Sequence, residues 1–279
     1  MKPERKQAVF SPLRYPGGKR RLATKICELI PEFGEFREPF VGGGSVFFQL
    51  KQEFPGRMFW INDRYSELAT FWKNSQTDLE NVLIKIKEWR YKFSDGKALF
   101  YFLKENKKRF DDVEMAAMFF VFNRITFSGT TEAGGYSEQA FQGRFTESSI
   151  ERLSKIGGVL ENVKITNNDY AELIVTSGED VFLYLDPPYS DNIKSALYGK
   201  GGKLHKGFDH VRLANLLKKC PHKWLLTYDN SSRIHKLYSF ANIANWDLTY
   251  GMRNVSRTNS LQKEKELFIT NYETAETRA

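Results

Sequence analysis

The chain reads as an α/β fold: one doubly wound domain built from both ends of the sequence and interrupted by a helical insertion. Strand, glycine turn, helix, strand and acid succeed one another up to residue 63, the order of a nucleotide-binding βαβ unit. Short apolar strands alternating with helical patterns resume from residue 163. Between 78 and 127 strand alternation disappears and long, aromatic-rich amphipathic helices replace it.

Each element has a local signal. Leu22, Ile26, Leu29 and Ile30 share one face at helical spacing, so a helix is expected over 19–30, ended by Pro31. A strand end over 38–44 runs into Gly42, Gly43 and Gly44, and a helix over 45–54 closes at Pro55-Gly56. A brief apolar strand, 58–61, leaves Asp63 just past its carboxyl end. Thr77 with Glu80 forms a capping-box pattern that opens the insertion, and Ser148 with Glu151 opens a helix over 150–160 in the same way. A polar loop over 128–145 is long enough to expect function of it. Strand 163–166, helix 170–175 and strand 181–185 follow, then a Gly/Lys-rich loop, 194–207. Helix 209–219, strand 223–228, helix 231–239 and strands near 245–250 and 267–272 complete the pattern. The sheet domain is accordingly assigned to 1–75 and 150–279, and the insertion to 76–149.

Composition sets outer bounds. With 279 residues, 41% of them hydrophobic, the chain can fill one large core, which excludes a disordered tail or a minimal module. Lys and Arg number 42 against 34 Asp and Glu, and the resulting +8 suits either a polyanionic partner or a merely basic enzyme. No apolar stretch approaches the roughly 20 residues of a membrane span, so no membrane partner is expected. Cys27 and Cys220 lack a C-x-x-C neighbour, which argues against a disulfide scaffold or a zinc cage. They read as apolar fillers, and a reducing cytoplasm is the expected location. Residues 1–11 carry charge and no apolar core, so no secretory signal is expected there.

The sharpest string is Asp186-Pro187-Pro188-Tyr189, delivered by the apolar strand 181–185 to the sheet edge where open α/β folds bind ligands. Its prolines stiffen the backbone and remove two N–H donors. An acid, a fixed carbonyl and an aromatic face are thereby held together, an arrangement that suits a planar group bearing an amine, such as a nucleobase.

This string resembles the catalytic motif of amino-group DNA methyltransferases. Glu38-Pro39-Phe40-Val41-Gly42-Gly43-Gly44 is similar to their S-adenosylmethionine loop, and Arg14-Tyr15-Pro16-Gly17-Gly18-Lys19 to the N-terminal cofactor motif of the Dam-type enzymes. All three occur in the family's order and cover nearly the whole chain, which identifies a resemblance to the D12 class, alpha group, of adenine-specific DNA methyltransferases. The resemblance implies a Rossmann-like methyltransferase domain with a helical DNA-recognition insertion, S-adenosylmethionine as methyl donor, S-adenosylhomocysteine as product, and no metal. It implies cofactor contacts from Tyr15, Pro16, Gly17, Gly18, Lys19, Pro39, Phe40, Gly42, Gly44 and Asp186. Lys19 is expected at the methionyl carboxylate, and Tyr15 against either the cofactor or the loop. Asp63 is positioned to accept ribose hydroxyls or to cap the helix after it. Asp169 matches the acid that meets the cofactor adenine, with Tyr170 stacking, although Asn-Asp is also a common helix cap.

Catalysis is assigned to Asp186, Pro187, Pro188 and Tyr189. Acceptor bonds from Asp186 and the Pro187 carbonyl would localise the lone pair of a flipped adenine amine and stabilise the positive charge that develops on it. Competing base chemistries lose support: no Pro-Cys pair exists for carbon-5 cytosine methylation, and no His-x-Glu with Pro-Cys-x-x-Cys for zinc deamination.

Asn123 to Gly129 resembles the segment opening the family's recognition hairpin, so Asn123, Arg124 and Ser128 are expected at DNA. Arg124 suits a guanine edge, a phosphate or a surface ion pair equally. The family's Arg-Tyr-Asn and Phe-Asn-x-Pro strings are absent, so the GATC target does not carry over; Tyr136, Gln142 and Arg144 stand in as candidate readers. Basic stretches 194–206 and 253–265, with Lys203, Arg253 and Arg257, suit phosphates. The expected partner is double-stranded DNA, a cognate restriction endonuclease is compatible with it, and a monomer suffices. An RNA adenine methyltransferase, a cytosine amino-group methyltransferase and a silent DNA-binding relative stand as alternatives.

Overall fold

The structure, a computed structural model, describes residues 8–15, 19–129, 131, 134–189, 207–248 and 264–274. A short helix α1 (Ala23–Leu29) precedes the first βαβ unit of β1 (Glu35–Glu38), α2 (Ser45–Glu53) and β2 (Met58–Asn62). Helices α3 (Ser66–Thr77), α4 (Leu79–Lys92), α5 (Gly96–Asn106), α6 (Asp112–Ile125), α7 (Glu138–Arg144), α8 (Glu147–Ser154) and α9 (Gly157–Leu160) follow. The α/β alternation then resumes as β3 (Val163–Thr166), α10 (Tyr170–Val175), β4 (Val181–Leu185), α11 (His210–Lys219), β5 (Lys223–Asp229), α12 (Ser232–Leu237), β6 (Asn242–Leu248) and β7 (Glu264–Thr270).

The seven strands form one sheet in the order β3-β2-β1-β4-β5-β7-β6. Pairing is parallel from β3 to β5, and β7 enters antiparallel between β5 and β6. Strand order reverses between β1 and β4, and such a switch point opens a crevice beyond the carboxyl ends of the strands. Strand β4 shows how both faces are covered. Phe182 and Tyr184 join a core with α1, α2, α3 and α6, whereas Val181, Leu183 and Leu185 join a second core with α10, α11 and α12. That is the period-two alternation of a strand buried on both sides. Buried Arg37 on β1 secures the approach to β4: its guanidinium donates to the carbonyls of Leu173, Thr176 and Ser177.

Local signals misplace some boundaries. Thr77 does not open α4; aromatic packing carries α3 through to it, and its hydroxyl bonds back to the Lys73 carbonyl at 3.1 Å. The reciprocal capping box belongs to Asp111 and Glu114, ahead of α6. Thr146, not Ser148, caps α8. The polar stretch 128–145 contains helix α7, because buried Phe141 and Phe145 give it an apolar side. Strands β6 and β7 start about three residues earlier than expected. Among the described residues no helix is long and apolar enough to cross a membrane, and Cys27 and Cys220 are half-buried.

Candidate active site

The carboxyl end of β4 carries Asp186 into the crevice. Its Oδ1 atom accepts from Thr227 Oγ1 of β5 at 2.7 Å and from the Tyr189 hydroxyl at 3.1 Å, and lies 3.2 Å from Lys19 Nζ. Among the described residues Oδ2 meets no donor. One carboxylate oxygen is thus fixed and the other retains its acceptor capacity. Pro187 is buried and Pro188 half-buried. The Tyr189 ring lies 5.7 Å from that of Tyr228, and burial together with the Asp186 charge pushes its phenol well up, so it stays a neutral donor.

Lys19 stands beside Asp186. Its ammonium, only 6% exposed, donates to the Tyr189 hydroxyl at 2.5 Å and to Glu266 Oε1 at 3.2 Å, and pairs with Asp186. Two carboxylates thus hold the ammonium at the Asp186 edge. Pro16, Gly17 and Gly18 lie outside the described residues.

The glycine turn is shaped from inside the protein. A Cβ on Gly42 would stand 2.8 Å from the Tyr15 ring, and one on Gly43 2.9 Å from the Tyr15 Cβ, so Tyr15 packs on the loop. Gly42 and Gly44 have φ of +47° and +67°, the left-handed region glycine enters without steric cost. Asp63 Oδ2 accepts the Gly42 N–H at 3.0 Å and Oδ1 accepts the Tyr65 N–H at 2.9 Å, tying β2 to the turn. Burial pushes the half-buried Asp63 carboxyl up to about 6. Glu38 is fully buried, accepts the Phe47 N–H, and is held well above the usual carboxylate range by burial and by the neighbouring charge of Asp186. The Pro39 carbonyl accepts from Asn62.

Phe40, Tyr170 and Phe208 gather at this edge with centroid separations of 5.2 to 5.6 Å. Asp169 caps α10 and forms a two-pronged pair with Arg212, both contacts 2.9 Å, with that guanidinium also over the Tyr170 ring. The carboxylate expected to meet the cofactor adenine is therefore already shared. An acceptor at the end of β2, aromatic rings beside the glycine turn and an Arg212-paired acid after β3 are groups whose chemistry suits the hydroxyls and ring of a nucleoside.

In the insertion the structure corrects one expectation outright. Asn123 is 1% exposed, and its amide is taken up by backbone: it accepts the Arg14 N–H and donates to the carbonyls of Arg14 and Gly129. It anchors the N-terminal segment and has no edge left to offer a base. Arg124, 4% exposed, stacks over Phe120 at 5.1 Å, and among the described residues its Nε has no hydrogen-bond partner. Burial, then the positive charges of Arg152, Arg14 and Arg144, lower it to about 9. Ser128 lies in a one-turn 3-10 helix, Phe127–Gly129, beside an antiparallel bridge of Thr126 with Tyr136. The Tyr136 hydroxyl bonds to Glu138, exposed Gln142 does likewise, and Arg144 is half-buried. Lys203, Arg253 and Arg257 lie outside the described residues.

Motif reading passed over Thr227, Glu266 and Phe208. Thr227 is a polar interruption of an apolar strand, a weak but visible signal; Phe208 is an aromatic beside a Gly/Lys-rich loop. Glu266 sits in a Lys/Glu run that reads as a solvated face.

Comparison with known proteins gives the family of the chain. The D12 class N6 adenine-specific DNA methyltransferase family matches residues 15–252. The type II methyltransferase M1.LlaDCHI of Lactococcus lactis subsp. cremoris is 27% identical over 277 residues, covering 93% of this chain and 94% of the relative. The type II methyltransferase M.MjaIII of Methanocaldococcus jannaschii is 26% identical, covering 83% and 88%. A DNA adenine methylase of Vibrio cholerae serotype O1 is 25% identical, covering 77% of each. The match spans the glycine turn, the insertion and the Asp186 motif alike, and the chain belongs to the D12 class of N6 adenine-specific DNA methyltransferases.

Proposed function

We propose that Asp186, Pro187, Pro188 and Tyr189 transfer a methyl group to a flipped adenine of duplex DNA, and the observation that carries this reading is the divided Asp186 carboxylate. Oδ1 is fixed by Thr227, Tyr189 and Lys19, so Oδ2 is oriented before substrate arrives. It accepts one N–H of the target amine, the Pro187 carbonyl accepts the other, and Tyr189 covers the ring. When bound, S-adenosylmethionine would supply an electrophilic methyl on a sulfonium with a thioether as leaving group, and the proton shed by the methylated amine would pass by way of Asp186 Oδ2 to water. Asp63 and the Phe40, Tyr170 and Phe208 rings would hold its nucleoside, with the Asp169 carboxylate shared with Arg212.

Segment 76–149 carries DNA recognition in this reading. Arg124, a buried cation among Arg14, Arg144 and Arg152 with no carboxylate on it among the described residues, takes a backbone phosphate. Tyr136, Gln142 and Ser128 remain the candidates for base contact, and Phe127, 59% exposed, offers an aromatic face beside them. The type II relatives support a role alongside a cognate restriction endonuclease.

Labelled S-adenosylmethionine offered with duplex DNA, single-stranded DNA and RNA, followed by digestion, tests the reading. Label is expected in N6-methyladenine from the duplex; label confined to RNA or to cytosine overturns it. Asp186→Ala is expected to keep cofactor binding and lose turnover by at least about a hundredfold.

A further inference from the structure

Glu266 belongs to no motif, yet it is 7% exposed at the end of β7 that lies beside the catalytic acid. We propose that Glu266 is a positioning residue for methyl transfer, acting through Lys19 to hold Asp186 and Tyr189 in their working arrangement. The proposal rests on Asp186 being the acceptor for the target amine.

The topology makes the contact possible. Because β7 runs antiparallel beside β5, its first residues lie at the carboxyl end of β5, with Glu266 opposite Asp229 and Phe268 opposite Thr227. The register brings Glu266 to the same sheet edge as Asp186. Between them stands the Lys19 ammonium, whose donors reach the Tyr189 hydroxyl at 2.5 Å and, at 3.2 Å each, Asp186 Oδ1 and Glu266 Oε1.

A buried charge on a sheet strand is costly to desolvate, and an apolar side chain there would suit the core better. The 3.2 Å contact with the Lys19 ammonium offsets that cost. With Asp186 as sole counter-ion, Lys19 would close on it and draw acceptor strength from the whole carboxylate. Divided between two acids, the ammonium orients Asp186 and Tyr189 without neutralising the former. Among the described residues two carboxylates face this one ammonium, and their negative charge lies behind the amine as positive charge develops on it. Both acids raise the Lys19 pKa against the effect of its burial, so it stays charged in that role.

The test uses the full chain and a duplex that the labelling assay shows to be methylated. Single-turnover transfer, equilibrium affinities for S-adenosylmethionine and for the duplex, and the thermal midpoint are measured for Glu266→Gln, Lys19→Met and the double variant. Glu266→Gln is expected to slow single-turnover transfer about tenfold or more while both affinities stay within about threefold. In the Lys19→Met background the Glu266 change is expected to add nothing, the signature of a residue acting only through Lys19. A Glu266→Gln rate equal to wild type, or multiplicative effects in the double variant, overturns the proposal. If Glu266→Gln does not fold, Glu266→Asp decides: it keeps the charge one methylene short, its expected rate is below wild type with binding retained, and a wild-type rate overturns the proposal. Wild-type protein that fails to methylate duplex adenine sinks the assignment of Asp186. An active wild type, an inactive Asp186→Ala and an unimpaired Glu266→Gln sink only the role of Glu266.

Discussion

The chemistry of the site is set by how single side chains divide their hydrogen-bonding capacity. Asp186 commits one oxygen to Thr227, Tyr189 and Lys19, and Asp63 commits both of its oxygens to backbone N–H groups while still half-buried. Burial raises the Asp63 carboxyl from 3.8 to about 6, which has a defined sign. The folded state holds this proton more tightly than the unfolded chain, so the contribution to stability is full below the unfolded value and is lost as pH rises through about 6. The ionised form, the better acceptor for ribose hydroxyls, dominates only above that point. Cofactor affinity is therefore expected to weaken as pH falls below about 6, and Asp63→Asn to bind more weakly but with a flat pH profile. Titration of both proteins with S-adenosylmethionine across that interval checks it; an equally flat wild-type profile removes Asp63 from the cofactor contacts.

At the level of elements, packing between distant segments decides which side chains remain available for function. The end of α6 presents Asn123 and Arg124 as neighbours, and the fold gives them opposite fates. Asn123 closes on the backbone of Arg14 and Gly129, and a Cβ on Gly129 would stand 2.6 Å from the Arg14 carbonyl oxygen, so the N-terminal segment and the insertion tip are interlocked. Asn123→Ala is expected to cost roughly 1–3 kcal/mol in urea unfolding, since it orphans buried backbone groups. A base-reading role would instead leave stability unchanged and alter only sequence preference.

Across the whole molecule, positive charge bears on DNA through where like charges are brought together. Arg124, Arg14, Arg144 and Arg152 come from separate segments, and their mutual repulsion contributes to the lowered Arg124 pKa. A phosphate would relieve that repulsion. Arg124→Leu is expected to weaken duplex binding about equally for all sequences and to lower the slope of log affinity against log salt by about 1. A loss confined to one base position would assign it to base readout instead.

Much of this molecule was legible in order along the chain. The βαβ opening, the buried strand before Asp186 and the glycine turn are local patterns, and local patterns follow from side-chain periodicity and backbone sterics. They suffice for the α/β class and for placing the Asp186 motif at the carboxyl edge of the sheet. Boundaries such as Thr77 and Ser148 failed because a cap forms only where packing ends a helix. The partners of Lys19, the role of Tyr15 against Gly42 and Gly43, the closure of Asn123 and the presence of Glu266 beside Asp186 were decided by tertiary structure alone. Those contacts join residues as many as 247 positions apart. No spacing rule encodes them; they exist because β7 inserts antiparallel beside β5 and carries a buried carboxylate to an ammonium from the other end of the chain.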